Sequence, residues 1–116
     1  MTDAIIAAAF EISNVLGAGF LEKVYERAMA EELKMRGLNV RPQAVYPVRY
    51  EGKSVGDYIA DLVVAEKIIV ELKCVDRFAP EHTAQCHNYF RASGLPVALL
   101  FNFQKPRVEW RRIIRG

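Results

Sequence analysis

DLVVAEKIIVELK, residues 61–73, consists of two apolar runs around a short polar turn, and it places charges at Asp61, Glu71 and Lys73 where a small domain needs its core. The runs are rich in β-branched residues, and the Ala65-Glu66-Lys67 interruption reads as a three-residue hairpin loop. Such a loop sets Val63 opposite Ile69 and Asp61 opposite Glu71, with Lys73 on the same face by the period of two. A slip of one residue would send the carboxylates to opposite faces. Two ionised carboxylates about 5 Å apart repel by about 3 kcal/mol at an effective dielectric near 20, a large share of a small domain's stability. Three arrangements relieve that repulsion: a protonated carboxyl, Lys73 bridging the pair, or a divalent cation held by oxygen ligands. An ion-pair ladder on a solvated face is the structural alternative. The apolar residues assigned to the same face, Ile59, Val63 and Ile69, argue instead that this face is covered.

Outward from the hairpin, punctuation divides the chain. Thr2 or Asp3 can cap a first helix over residues 2–16, which Gly17 stops. Gly19 opens onto a second helix over 20–36, closed by Gly37. Strands follow at 44–50, 55–64 and 68–74, with a turn at Glu51-Gly52-Lys53. Pro42 and Pro47 suggest that the first of these lies at a sheet edge or is irregular, because proline donates nothing to a ladder. A third helix spans 80–93 and ends at Gly94. VALLFNF, 97–103, is continuous enough to be a strand buried on both faces, and VEWRRIIR, 108–115, is one more strand. The expected order is ααβββαββ, an α/β or α+β sandwich with no linker, repeat or low-complexity tract.

Composition bounds the functional classes. The 116 residues suffice for one domain burying roughly 65% of its unfolded surface, with 52% hydrophobic and 26% charged residues, as in ordinary globular proteins. Sixteen Lys and Arg against 14 Asp and Glu give a net charge of +2, no electrostatic signature of a nucleic-acid binder. The two cysteines, Cys74 and Cys86, lie in apolar patterns without zinc spacing and read as buried free thiols in a reducing, cytoplasmic setting. Asp3 and Glu11 interrupt the apolar start, and no basic segment precedes it, so neither a secretory signal nor a membrane span is expected.

The second helix adds another acid. At 100° per residue, Phe20, Leu21, Val24, Tyr25, Ala28, Met29 and Leu33 share an arc, and Glu22 falls inside it between Met29 and Leu33. Glu32 falls in the same arc about 15 Å further along, so an acid on this face is not by itself a site.

These residues resemble a known family. GFLEKVY, with Gly19, Glu22 and Tyr25, is similar to the signature of the GxxExxY proteins, a prokaryotic group within the PD-(D/E)XK nuclease-like superfamily. The similarity continues through the Asp61 segment, VELK at 70–73, HTAQCHNY at 82–89 and LLFNF at 99–103, and so covers nearly the whole chain. It implies a single-domain α/β fold, a mixed sheet of about five strands flanked by three helices. It also implies roles. Asp61, Glu71 and the Leu72 carbonyl would hold Mg²⁺ or Mn²⁺, with Glu22 completing the shell directly or through water. Lys73 would orient the attacking water or stabilise charge, and Gln85 and Tyr89, four apart on one helix face, match a catalytic Q-x-x-x-Y arrangement whose amide helps fix the lysine and the phosphate; a core aromatic is the alternative for Tyr89. The proline that usually precedes the acid is replaced by Ala60, a change of turn geometry rather than of ligand chemistry. His82 and His87 are expected as surface or helix-face residues. The implied activity is metal-dependent hydrolysis of nucleic-acid phosphodiesters, DNA favoured over RNA. Arg77, Arg91, Lys105, Arg107, Arg111, Arg112 and Arg115 form the pool for phosphate contacts, and a second copy would help so short a domain span a duplex. The alternative is a nuclease-like fold that only binds nucleic acid or docks a partner.

Overall fold

A computed structural model describes residues 1–116. Its elements are α1 (Thr2–Leu16), α2 (Glu22–Met35), β1 (Val40–Tyr50), β2 (Lys53–Val64), β3 (Ile68–Lys73), α3 (Pro80–Ser93), β4 (Val97–Asn102) and β5 (Glu109–Ile114). The five strands form one sheet in the order β1-β2-β3-β4-β5. All neighbours are antiparallel except β3 and β4, which run parallel because α3 carries the chain across between them. The sheet is therefore mixed, and β1, with its two prolines, lies at an edge as expected. No helix is long and apolar enough to cross a membrane.

Each sheet face has its own core. On one face Leu62, Val64, Ile68, Val70 and Leu72 pack with Ile5, Tyr25, Met29 and Leu33 of α1 and α2. On the other, Val63, Ile69, Ala98 and Leu100 pack with Cys86, Tyr89 and Phe90 of α3. Between them, β3 and β4 are apolar without alternation because both of their faces are covered.

The hairpin loops follow backbone chemistry. Tyr50 pairs with Lys53, so Glu51 and Gly52 alone make the β1–β2 turn, one residue shorter than expected, both at positive φ (52° and 80°) as a type I′ turn requires. The β2–β3 loop is Ala65-Glu66-Lys67, and its register is the expected one, Val63 opposite Ile69 and Val64 opposite Ile68.

One expectation fails. Ile59 was assigned to the covered face of Val63 and Ile69, yet it is 47% exposed. Ala44 and Ala60, with Tyr46 and Tyr58 beside them, pack on the α3 side together with Val63, which a strict period of two forbids. The β1–β2 pairing is interrupted at Gln43, which holds φ at 51° opposite Asp61. That irregularity bends β2 and switches its alternation, as bulges do beside functional sites.

Two polar anchors fix the remaining elements. Buried Ser13 of α1 accepts the Val108 N–H at 3.0 Å and donates to the Pro106 carbonyl at 3.2 Å, tying α1 to the β4–β5 connection. Tyr25 of α2 donates its hydroxyl to the Gly17 carbonyl at 2.6 Å and accepts the Phe20 N–H at 3.2 Å, pinning the turn in which Gly17 and Gly19 take positive φ. Glycine is required there because a Cβ disfavours that backbone. Tyr25→Phe should therefore cost about 1–3 kcal/mol in urea unfolding, since two main-chain groups lose their partner. The Gly-x-x-Glu-x-x-Tyr spacing thus has a local reason: glycine and tyrosine build the loop, and the glutamate rides on the helix it starts.

Candidate active site

The β2–β3 ladder ends at Leu62 and Val70, one pair short of Asp61 and Glu71. Beyond that point side chains replace the backbone bonds. The Asp61 N–H donates to Glu71 Oε1 at 3.1 Å, and the Leu72 N–H donates to Asp61 Oδ2 at 2.9 Å. Main-chain N–H and C=O of one strand residue leave by the same edge, so the Leu72 carbonyl also faces the opening beside Asp61. Lys73 faces the other way, its carbonyl accepting the Phe103 N–H at 2.9 Å on the β4 side. The strands part where the carboxylates sit.

Burial makes this pair costly. Glu71 is 2% exposed. Burial, then the charge of Asp61, push its carboxyl up to about 8, while the Lys73 ammonium pulls it down. Asp61 is also pushed up by burial, against the Leu72 N–H that favours its charged form, and the charges of Glu26 and Glu22 add to the push. Of the three reliefs open to the pair, the lysine bridge is not the one adopted: Lys73 Nζ donates to Gln85 Oε1 at 3.1 Å, and its salt-bridge distance to either acid exceeds 4 Å.

α3 supplies the roof. Gln85 holds Lys73, and one turn later Tyr89 donates its hydroxyl to the Ile59 carbonyl at 2.7 Å. Burial and the neighbouring Glu71 push the Tyr89 phenol up, so it stays a neutral donor. Cys86, on the same helix, is fully buried and its thiol is pushed up to about 12 by burial and by Glu71. Cys74 is free and only half-buried, a departure from the buried thiol expected. His82 accepts the Ala79 N–H at 2.9 Å and caps α3, and His87 lies edge-on to Phe90; neither joins the site.

α2 contributes acids differently from expectation. The buried arc of the helix runs through Tyr25, Met29, Leu33, Glu26 and Ala30, while Phe20, Leu21 and Val24 are exposed. Glu22 lies in the middle of that arc by angle but occupies the first turn and is exposed. It makes no hydrogen bond to Asp61 or Glu71, although its charge reaches Asp61. Its helix neighbour one turn on, Glu26, is the buried acid, 8% exposed and held by Lys23 at 2.7 Å and by Gln43 Nε2 at 2.8 Å. Glu32 is paired with Arg36 at 2.8 Å, away from the site. Glu26 lies one step past Leu33 on the helix wheel and was not singled out from sequence; Gln43, from the kink in β1, bonds it in place. Asn102 was also missed. Fully buried at the end of β4, it donates to the Val75 carbonyl at 2.8 Å and accepts the Val75 N–H at 3.1 Å, holding the exit from β3 just past Lys73.

The structure therefore brings together Asp61, Glu71, Leu72, Lys73, Gln85 and Tyr89. No three His, Cys, Asp or Glu side chains gather at metal-binding spacing. The oxygen set on offer is two carboxylates and one main-chain carbonyl, all hard donors suited to Mg²⁺ or Mn²⁺ rather than to zinc.

Comparison with known proteins bears on the family and the fold. A model of the PD-(D/E)XK nuclease superfamily matches residues 1–113. Curated protein sequences give no match. Among solved structures, SSO0001 superposes with a TM-score of 0.61 at 18% identity, covering 81% of this chain and 50% of that one. LHK-Exo in complex with dAMP gives 0.62 at 15% identity, covering 81% and 55%. The LHK-Exo alkaline exonuclease from Laribacter hongkongensis gives 0.58 at 12% identity, covering 100% and 83%. The chain thus spans about half the length of the first two. At these identities the likeness is one of fold, whereas the match over residues 1–113 is one of family: the chain belongs to the PD-(D/E)XK nuclease superfamily.

Proposed function

We propose that this protein is a metal-dependent nuclease whose cation is held by Asp61, Glu71 and the Leu72 carbonyl, with Glu22 reaching the shell through water from the first turn of α2. The observation that carries this reading is the parted ladder: two carboxylates stand where backbone bonds should be, one of them 2% exposed, beside a lysine that pairs with neither. Bound there, Mg²⁺ or Mn²⁺ would supply Lewis-acid neutralisation of phosphoryl charge and a lowered pKa for water. The chain's own groups do the rest. Gln85 holds Lys73 so that its ammonium stays fixed beside the acids, where it orients the attacking water and offsets charge growing on the phosphoryl oxygens. Tyr89 keeps β2 in place through the Ile59 carbonyl, and the apolar contacts under α3 exclude water around Glu71. Water adds to phosphorus, the bond to the departing sugar oxygen breaks, and that oxygen leaves with a proton.

DNA is the favoured substrate, because the solved LHK-Exo complex holds a deoxynucleotide. A second copy would let so short a domain span a duplex. The test is Mg²⁺- or Mn²⁺-dependent cleavage of single- and double-stranded DNA and RNA by the purified protein. Expected is cleavage that EDTA stops and that Asp61→Asn removes; cleavage that survives both Asp61→Asn and Lys73→Ala belongs to a contaminant and ends this reading.

A further inference from the structure

Of the seven basic residues that sequence offers for phosphate contacts, most are occupied. Arg107 lies over Phe10, Arg111 over Phe78 and Arg112 over Trp110, at 5.1, 5.1 and 5.9 Å from the ring centroids. Lys105 approaches Glu109 at 3.8 Å, and Arg115 donates to the Gly94 carbonyl at 2.7 Å. Arg77 has no such partner, and neither has Arg91. Arg91 lines a groove of about 600 Å³ between α3 and the outer half of the β1–β2 hairpin, and across that groove stands Arg49 of β1, equally unpartnered. Tyr58 and Asn88 complete the polar lining, and no acid contributes to it.

A second depression adjoins this groove. Tyr58 and Asn88 line both, and the second also carries Glu81, His82 and Gln85, the residue bound to Lys73. Tyr58 packs edge-on against Tyr89 with centroids 5.3 Å apart. Gln85, Asn88 and Arg91 recur every three residues and form one stripe along α3. From Gln85 to Arg91 the helix rises about 9 Å, the reach of two to three phosphates of a stacked strand at about 3.4 Å each.

Resting on the nuclease reading, we propose that the groove is the track for a single strand of nucleic acid running from the carboxylate site. Arg49 and Arg91 clamp its phosphates from opposite walls and Tyr58 offers a ring for a base. The hairpin kink at Gln43 serves this geometry, since it turns Tyr58 rather than Ile59 toward α3.

The test is fluorescence anisotropy of a fluorescein-labelled dodecathymidylate with the full chain in EDTA, so that binding is read without turnover. Arg49→Ala/Arg91→Ala should weaken binding by roughly ten- to a hundredfold and lower the salt slope by about 0.7 per arginine. Both residues are exposed, so the fold is retained, and the double lysine variant should recover most of the affinity. Arg36→Ala, which removes a residue paired with Glu32, should leave binding unchanged. Hydrolysis of bis(p-nitrophenyl) phosphate with Mn²⁺, a substrate too small to reach the groove, should be the same in the double alanine variant and the wild type. Wild-type affinity and slope in that variant, or no oligonucleotide binding by the wild type, overturns the strand track while leaving the nuclease reading to its own assay. Loss of binding in the variant, in a protein that hydrolyses neither substrate, upholds the track and overturns the nuclease reading.

Discussion

Glu71→Gln melts higher than the wild type at pH 8 in EDTA, by at least about 2 kcal/mol or roughly 8 °C in Tm. The glutamine keeps the shape of the side chain and an oxygen to accept the Asp61 N–H, but it removes the charge from a site that burial and Asp61 both make hostile to it. The pH dependence has a definite sign. Glu71 titrates near 8 when folded and near 4.5 when unfolded, so between those values the folded chain holds a proton that the unfolded chain lacks. Metal-free stability therefore falls as pH rises from about 5 to 8 and levels off above that. The variant loses this slope, and its advantage shrinks to little at pH 5. Saturating Mn²⁺ should reverse the order, because the cation stabilises only the chain that binds it. Asp61→Asn should show the same pattern more weakly, since Asp61 already receives the Leu72 N–H that favours its charge. Differential scanning fluorimetry across pH, with EDTA and with Mn²⁺, measures all of this. A purely structural ion-pair role predicts the opposite, a lower Tm for both variants in EDTA.

Lys73→Ala slows Mn²⁺-dependent cleavage by about 10² to 10³, the usual cost of removing one charge aimed at a developing oxyanion. Its ammonium is held by Gln85, so Gln85→Ala should lose less, about tenfold, and mostly in kcat. Metal affinity should survive both changes or rise, because the lysine charge opposes the cation. Single-turnover cleavage alongside Mn²⁺ titration calorimetry separates the two effects. Equal losses of rate and of metal affinity would make Lys73 a structural neighbour of the site and not part of its chemistry.

Much of this was legible from residues close together in the chain. A three-residue loop fixes the β2–β3 register, so the approach of Asp61 to Glu71 follows from the spacing of 61–73 alone. Glycines at 17, 37 and 94 mark helix ends because those turns need positive φ. The prolines place β1 at the edge for want of a donor. Several departures trace to one residue. Gln43 takes φ of 51° in a strand 18 residues upstream of Asp61; the prolines hint that this strand is irregular, but not where it bends. That kink reverses the faces of Ile59 and Ala60, holds Glu26 through a side-chain bond and opens the ladder at Asp61. The α2 arc was displaced for another reason: angle alone ignores position along the helix, and Glu22 in the first turn is exposed whereas Glu26 one turn on is covered. Lys73 could be assigned to the site from spacing, whereas its partner Gln85 came only from the family resemblance, because the β3–α3–β4 crossover is what brings that helix near.

The claim beneath all of these is that the parted strands hold one divalent ion between them. Anomalous diffraction from a crystal soaked in Mn²⁺ tests it most directly. The expected result is a peak within about 2.5 Å of a carboxylate oxygen of both Asp61 and Glu71 and of the Leu72 carbonyl. A peak that touches only one of these acids, or none in the cleft at saturating Mn²⁺, would contradict it.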